Sequence, residues 1–267
     1  MPEGLVRVRD LEMAYDDVGA GPPVLLLHGY PFNRSLWREQ AEALRANYRV
    51  ITPDLRGHGQ TTATAQPATM DEMARDVAAL LDALNIKRTI LGGLSMGGYV
   101  SLAFYHLFPL RVRGLVLADT RPTADTDEGR ATREQQAQVA TDLGMAAIAE
   151  NFLPKLLAPA TFVERPEVVE RVREMILQTK PQGAASAQRG MALRPDRTDF
   201  LPSILAPTLI IVGSLDEITP VRDAQLMHRE IRGSHLEILE GAGHVSNLER
   251  AAEFTRALET FLDALQP

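Results

Sequence analysis

The chain has no cysteine, which excludes disulfides, thiolate zinc sites and a cysteine nucleophile together. No apolar run approaches the roughly 18 residues that a membrane span needs. The first ten residues lack a basic segment leading into an apolar stretch of about 7–15 residues, so no signal peptide is expected there. Positive charge is also short: 28 Lys and Arg stand against 35 Asp and Glu, a formal net charge of -7. Without a basic face to neutralise phosphates, nucleic-acid binding is not expected. His106, His228 and His235 have no partners at metal-ligand spacing, and neither H-E-x-x-H nor G-x-x-x-x-G-K-[ST] occurs. No metal or nucleotide cofactor is therefore expected. The expected location is the cytoplasm, with no membrane partner, and the oligomeric state is left open.

What is present is an ordinary globular composition, 45% hydrophobic and 24% charged over 267 residues. Short β-type runs alternate with longer segments of helical period, the pattern of a mostly parallel sheet with helices on both faces. Residues 5–8 and 13–15 read as an opening, antiparallel pair of strands. Residues 24–27, 49–52, 89–94 and 112–118 read as further strands. A capping-box pattern at Thr69 and Glu72 opens a helix over residues 68–84, and residues 95–108 form the next. From residue 121 to 200 no strand is convincing; three or four helices are expected there, broken by Gly144, Pro154, Pro159, Pro166 and Pro181. Alternation resumes with a strand at 207–213, a helix over 220–231, a strand at 235–239 and one last helix near 247–265.

Gly93-Leu94-Ser95-Met96-Gly97 matches G-x-S-x-G. The bare pattern is weak, but here a buried strand precedes it and a helix begins at it. That context holds a serine oxygen out of the sheet on a strained turn and sets helix N–H groups beside a developing anion. Serine needs a base, and His244 follows the last strand in Gly241-Ala242-Gly243-His244. One strand earlier, Asp216 is placed to fix the His244 tautomer. Two rivals for that acid stand nearby, Asp119 at the end of strand 112–118 and the adjacent Glu217. Two main-chain donors are needed for the oxyanion; the N–H groups of Met96 and of Tyr30, in His28-Gly29-Tyr30-Pro31, are the candidates.

Taken with Asp54-Leu55-Arg56-Gly57-His58-Gly59, these motifs in this order resemble the α/β-hydrolase superfamily over nearly the whole chain. The nearest likeness is to carboxylesterases and 3-oxoadipate enol-lactonase-like hydrolases. The resemblance implies an α/β-hydrolase fold: a mostly parallel eight-stranded sheet whose second strand is antiparallel, helices on both faces, and a helical cap. The core would be residues 1–120 and 201–267, with the cap, residues 121–200, inserted after the sixth strand. It implies a serine hydrolase acting on a small-molecule ester or lactone, with Ser95 as nucleophile, His244 as base and Asp216 as acid. Enol-lactone hydrolysis and perhydrolysis stay open as variants. Serine at position 95 separates the chain from epoxide hydrolases and haloalkane dehalogenases, and Val245 stands where hydroxynitrile lyases carry lysine. A non-catalytic receptor on the same fold would be marked by a damaged triad, and none is visible.

His28 and His58 are expected to shape loops, and Asp54 and Arg56 to form a structural pair or turn anchor. Phe32, Trp37, Met145, Phe152 and Val245 are candidates for an apolar substrate pocket, although most large apolar residues at helical spacing are core. Arg121 either holds an anionic substrate group or, more plainly, pairs with Asp119 or stands in solvent.

Overall fold

The computed structural model describes residues 3–265. Eight strands form one sheet: β1 (Glu3–Val8), β2 (Leu11–Val18), β3 (Pro23–Leu27), β4 (Arg49–Pro53), β5 (Thr89–Leu94), β6 (Val112–Ala118), β7 (Thr208–Gly213) and β8 (His235–Leu239). Their spatial order is β1-β2-β4-β3-β5-β6-β7-β8. β2 is antiparallel to both β1 and β4, and every pairing from β4 onward to β8 is parallel. The sheet is thus the eight-stranded one expected from the motifs. β5 and β7 are buried at every position, because helices cover both faces of a parallel sheet and leave no polar side to alternate with.

The covering helices are α1 (Arg38–Leu44), α2 (Met70–Ala83), α3 (Met96–Leu107), α8 (Val221–Glu230), α9 (Ser246–Glu249) and α10 (Ala251–Ala264). Thr69 caps α2 by accepting from the Glu72 N–H, satisfying one of the helix's orphan donors. The single closing helix expected from the sequence is two: Arg250 leaves helical geometry at φ -130°, ψ 52° and separates α9 from α10.

Between β6 and β7 run α4 (Asp127–Leu156), α5 (Pro159–Glu164), α6 (Pro166–Gln178) and α7 (Pro181–Ala192). Gly144 divides α4 in two, with φ 80° that few other residues adopt. Pro154, expected to break a helix, lies inside α4 two residues before its end. Its ring removes one backbone N–H donor, and the helix ends two residues later. Pro159, Pro166 and Pro181 instead open their helices, where a missing N–H costs nothing. Among the described residues, no helix is long and apolar enough to cross a membrane.

Asp54 and Arg56 do not pair with each other. Asp54 accepts from Arg34 Nη1 at 2.5 Å and from the N–H groups of Arg34 and Gln60. Arg56 reaches Asp76 and Asp10. Past the end of β4 the chain turns at Arg56, and each side chain finds a partner across the fold. Because the Asp54 side chain is fully buried and accepts from the Arg34 guanidinium and two N–H groups while Arg34 keeps Asp16 as a second partner, Asp54→Ala is expected to destabilise the protein by about 2–4 kcal/mol, the cost of losing charge-assisted bonds and leaving buried donors unmet. Urea unfolding reads it, and a loss below about 1 kcal/mol would show the pair to be dispensable.

Candidate active site

Parallel strands deliver their carboxyl ends to one edge of the sheet, and loops there gather the chemistry. The turn from β5 into α3 places Ser95 at φ 55°, ψ -114°, a left-handed backbone that costs of order 1–3 kcal/mol and is kept only where surroundings enforce it. Those surroundings are tight. A Cβ on Gly97 would lie 2.2 Å from the Leu27 carbonyl oxygen, and one on Gly29 would lie 3.2 Å from Ser95 Cβ. At 97 only glycine fits against that carbonyl, and at 29 any side chain would press on the serine turn, so both glycines let the loop after β3 and the first turn of α3 close around the serine.

Ser95 Oγ stands 2.8 Å from His244 Nε2, and His244 Nδ1 stands 2.8 Å from Asp216 Oδ2. The loops after β5, β8 and β7 therefore bring the three sequence candidates into one hydrogen-bonded line. Asp216 is held by further donors: the N–H groups of Ile218 and Thr219 reach Oδ1, and Thr219 Oγ1 donates to Oδ2 at 2.7 Å. Thr219, which sequence reading passed over, thus fixes the acid. Its signal was present in the Asp216-Glu217-Ile218-Thr219 turn, where an aspartate side chain captures N–H groups two and three residues on.

Burial alone would lower the basicity of His244, but the Asp216 carboxylate outweighs it and the net shift is upward from 6.5. Burial pushes Asp216 up, and the His244 imidazole, charge and hydrogen bond together, brings it below its ordinary value. Of the rival acids, Glu217 is exposed. Asp119 is fully buried but committed elsewhere: Oδ1 accepts from the Gly213 N–H and Oδ2 is 2.5 Å from Ser246 Oγ. Burial, and then the nearby Asp216 charge, hold its carboxyl well above the usual range.

Met96 is the first residue of α3, so its N–H has no acceptor within the helix. Tyr30 follows Gly29, which abuts Ser95. Met96 thus adjoins the serine in the chain, and Tyr30 follows a glycine packed against it. His28 donates from Nδ1 to Gly29 O and accepts at Nε2 from the Leu55 N–H, which fixes a neutral ring that burial lowers to about 4. His58 donates from Nδ1 to Arg56 O, and burial takes it to about 3. Both histidines shape loops.

The pocket candidates separate. Phe152 packs on Tyr30 with ring centroids 5.7 Å apart. Val245 adjoins His244 and is buried, as are Met145 and Phe32. Trp37 is a core residue packed against Phe254 of α10, ring centroids 5.8 Å apart and tilted. Arg121 does not pair with Asp119; its Nη2 donates to Asp125 at 3.1 Å. Asp125 also holds Arg194 through two bonds, and Arg133, so this carboxylate ties the entry of the insert to its exit.

Comparison with known proteins agrees with this architecture. Residues 22–251 match the family described as alpha/beta hydrolase fold. The chain is 31% identical to 3-oxoadipate enol-lactonase 2 of Acinetobacter baylyi, with 96% of this chain and 95% of that one covered. A thermophilic esterase from Thermogutta terrifontis, solved with malate bound, superposes with a TM-score of 0.97 at 39% identity, each chain covered in full. The enol-lactonase from Burkholderia xenovorans LB400 gives a TM-score of 0.92 at 29% identity, covering 97% of this chain and 100% of that one.

Proposed function

The chain belongs to the alpha/beta hydrolase fold family, and from that premise we propose that it is a serine carboxylic ester hydrolase, cleaving small esters or lactones through an acyl-enzyme. The line Asp216–His244–Ser95, with contacts of 2.8 Å at each step, is the observation that carries this reading. His244 Nε2 takes the proton of Ser95 as Oγ attacks the substrate carbonyl carbon. The C=O electron pair moves to oxygen, where the N–H groups of Tyr30 and Met96 meet it. As the tetrahedral intermediate collapses, the bond to the leaving oxygen breaks and His244 returns the proton to it. Water then repeats the sequence on the acyl-serine and releases the acid.

In this reading residues 121–200 are a cap over the site. Two points of attachment support that: the Leu156 carbonyl accepts from the His244 N–H, and Thr179 bonds to the loop after Tyr30. No cofactor, nucleic acid or membrane has a part in the chemistry. A cytoplasmic location belongs to the proposal and is checked by cell fractionation. Lactone cleavage is the variant favoured by the two similar enol-lactonases.

A hydrolysis panel of p-nitrophenyl esters of rising chain length, beside small lactones including an enol-lactone, tests the reading. Turnover of short esters is expected, and a strong preference for lactones would narrow it to a lactonase. Labelling by a fluorophosphonate without turnover of any substrate would point instead to a receptor. Run across pH, the panel also reports the base. Only neutral His244 accepts a proton, and its pKa is raised above 6.5, so kcat/KM is expected to climb with pH through a midpoint above that value. A midpoint well below it would show that Asp216 does not act on the imidazole.

A further inference from the structure

The segment between α4 and α7 is bonded at one end to the loop that carries His244 and at the other to the loop that follows Tyr30. At the first end, the N–H groups of His244 and Val245 both donate to Leu156 O, at 2.9 and 3.3 Å. Beside them, Glu249 of α9 is 3% exposed. Its Oε1 accepts from the Ala158 N–H at 2.8 Å and from Thr161 Oγ1 at 2.6 Å, and its Oε2 accepts from the Gly243 N–H at 2.7 Å. One carboxylate thus joins the start of α5 to the residue before the base. Arg165, between α5 and α6, adds bonds to the carbonyls of Leu248 and Glu249.

At the second end, Thr179 is the residue after α6 and is 2% exposed. Its Oγ1 donates to Pro31 O at 2.7 Å. Asn33 Nδ2 donates to Gln178 Oε1 at 3.0 Å, and Arg171 Nη2 donates to Ser35 O at 3.0 Å. The chain from Pro31 to Ser35 is therefore pinned at three points by α6 and the residue after it, directly downstream of Tyr30. The bonds that attach the cap thus fall on the two loops that carry the base and the oxyanion donor.

We propose that residues 156–179 act as a strut that sets the position of the base relative to the oxyanion donor, with Glu249 and Thr179 as its positioning residues. The inference rests on the serine-hydrolase reading and extends it. The hole for a tetrahedral oxyanion works only when its donors stand at hydrogen-bond distance from where the charge will be, and the serine needs its base at the same moment. Both loops are irregular, so neither is stiff by itself. α5 and α6 lend them the rigidity of helices.

The test is steady-state and inhibitor kinetics on Thr179→Val, Thr179→Ser and Glu249→Gln, beside wild type. Thr179→Val removes the donor to Pro31 O; kcat is expected to fall about ten- to a hundredfold, the scale of a small misplacement of catalytic groups. KM for a short ester should stay within about threefold of wild type, and affinity for a boronic-acid transition-state analogue should fall in step with kcat/KM. Thr179→Ser keeps the hydroxyl and is expected to recover most of the loss. Glu249→Gln sets an amide NH2 against either the Gly243 N–H or the donors on α5. It is expected to slow both kcat and the phosphonylation of Ser95, which needs His244 as base. Wild-type kcat and analogue affinity in Thr179→Val and Glu249→Gln would overturn the strut. So would losses in Thr179→Val that Thr179→Ser does not recover, or losses that fall on KM alone. A wild type that turns over no ester or lactone would overturn the underlying reading, and the strut with it.

Discussion

Ser95→Ala is expected to lower ester turnover by about 10⁶-fold, the scale seen when the nucleophile of such a constellation is removed. The substitution deletes one oxygen, and that oxygen alone makes the 2.8 Å contact to His244 Nε2. The φ of 55° at this position is set by the strand, the helix and the glycines packed around the turn, so alanine inherits the same strain and the fold survives. What remains is catalysis by the oxyanion donors and by binding, with water attacking directly. Three measurements together check the expectation: residual turnover, absence of fluorophosphonate labelling, and an unchanged urea midpoint. A variant with the wild-type midpoint and comparable turnover would remove Ser95 from the mechanism.

Much of this architecture is legible in the sequence because its signals are local. Strands β5, β6 and β8 have the bounds expected: β5 and β6 are largely apolar stretches ended by Ser95 and Asp119, and β8 alternates polar and apolar residues before Glu240-Gly241. Ser95, His244 and Asp216 are readable for a related reason: each follows a strand of a parallel sheet, and such strands converge at their carboxyl ends. Where the reading went astray, the deciding interaction was not local. Of the roles open to Arg121 in the sequence, the pair with Asp119 fails, because Asp119 points inward to Ser246 and Arg121 turns to Asp125. Trp37 resembles a pocket residue until α10 is laid over it. Glu249 gave no signal at all, because two of its three partners lie 91 and 88 residues away, and an acid at a short helix's end ordinarily reads as solvated.

The second large effect concerns the acid. Asp216→Asn is expected to reduce kcat by about 10⁴-fold with little change in fold, the cost of presenting the wrong imidazole tautomer. In the wild type the carboxylate accepts from His244 Nδ1–H, which leaves Nε2 as the lone pair that faces Ser95. The bonds from Ile218, Thr219 and the Thr219 hydroxyl occupy the remaining lone pairs of Asp216. An asparagine settles its oxygen at the Oδ1 position, toward the Ile218 and Thr219 N–H groups, so its NH2 takes the Oδ2 position, meets Nδ1 and drives the proton to Nε2, where it blocks the base. The rivals separate by the same geometry. Asp119→Asn leaves the Asp216–His244 bond in place and should cost far less, while Glu217→Gln, at an exposed position, should cost nothing measurable. The pH profile adds an independent sign. Removing the charge that raises the His244 pKa moves that pKa down, so whatever activity Asp216→Asn retains should persist to lower pH than in the wild type. If Asp119→Asn were instead the more damaging change, the acid would belong to β6 and Asp216 would be a loop anchor.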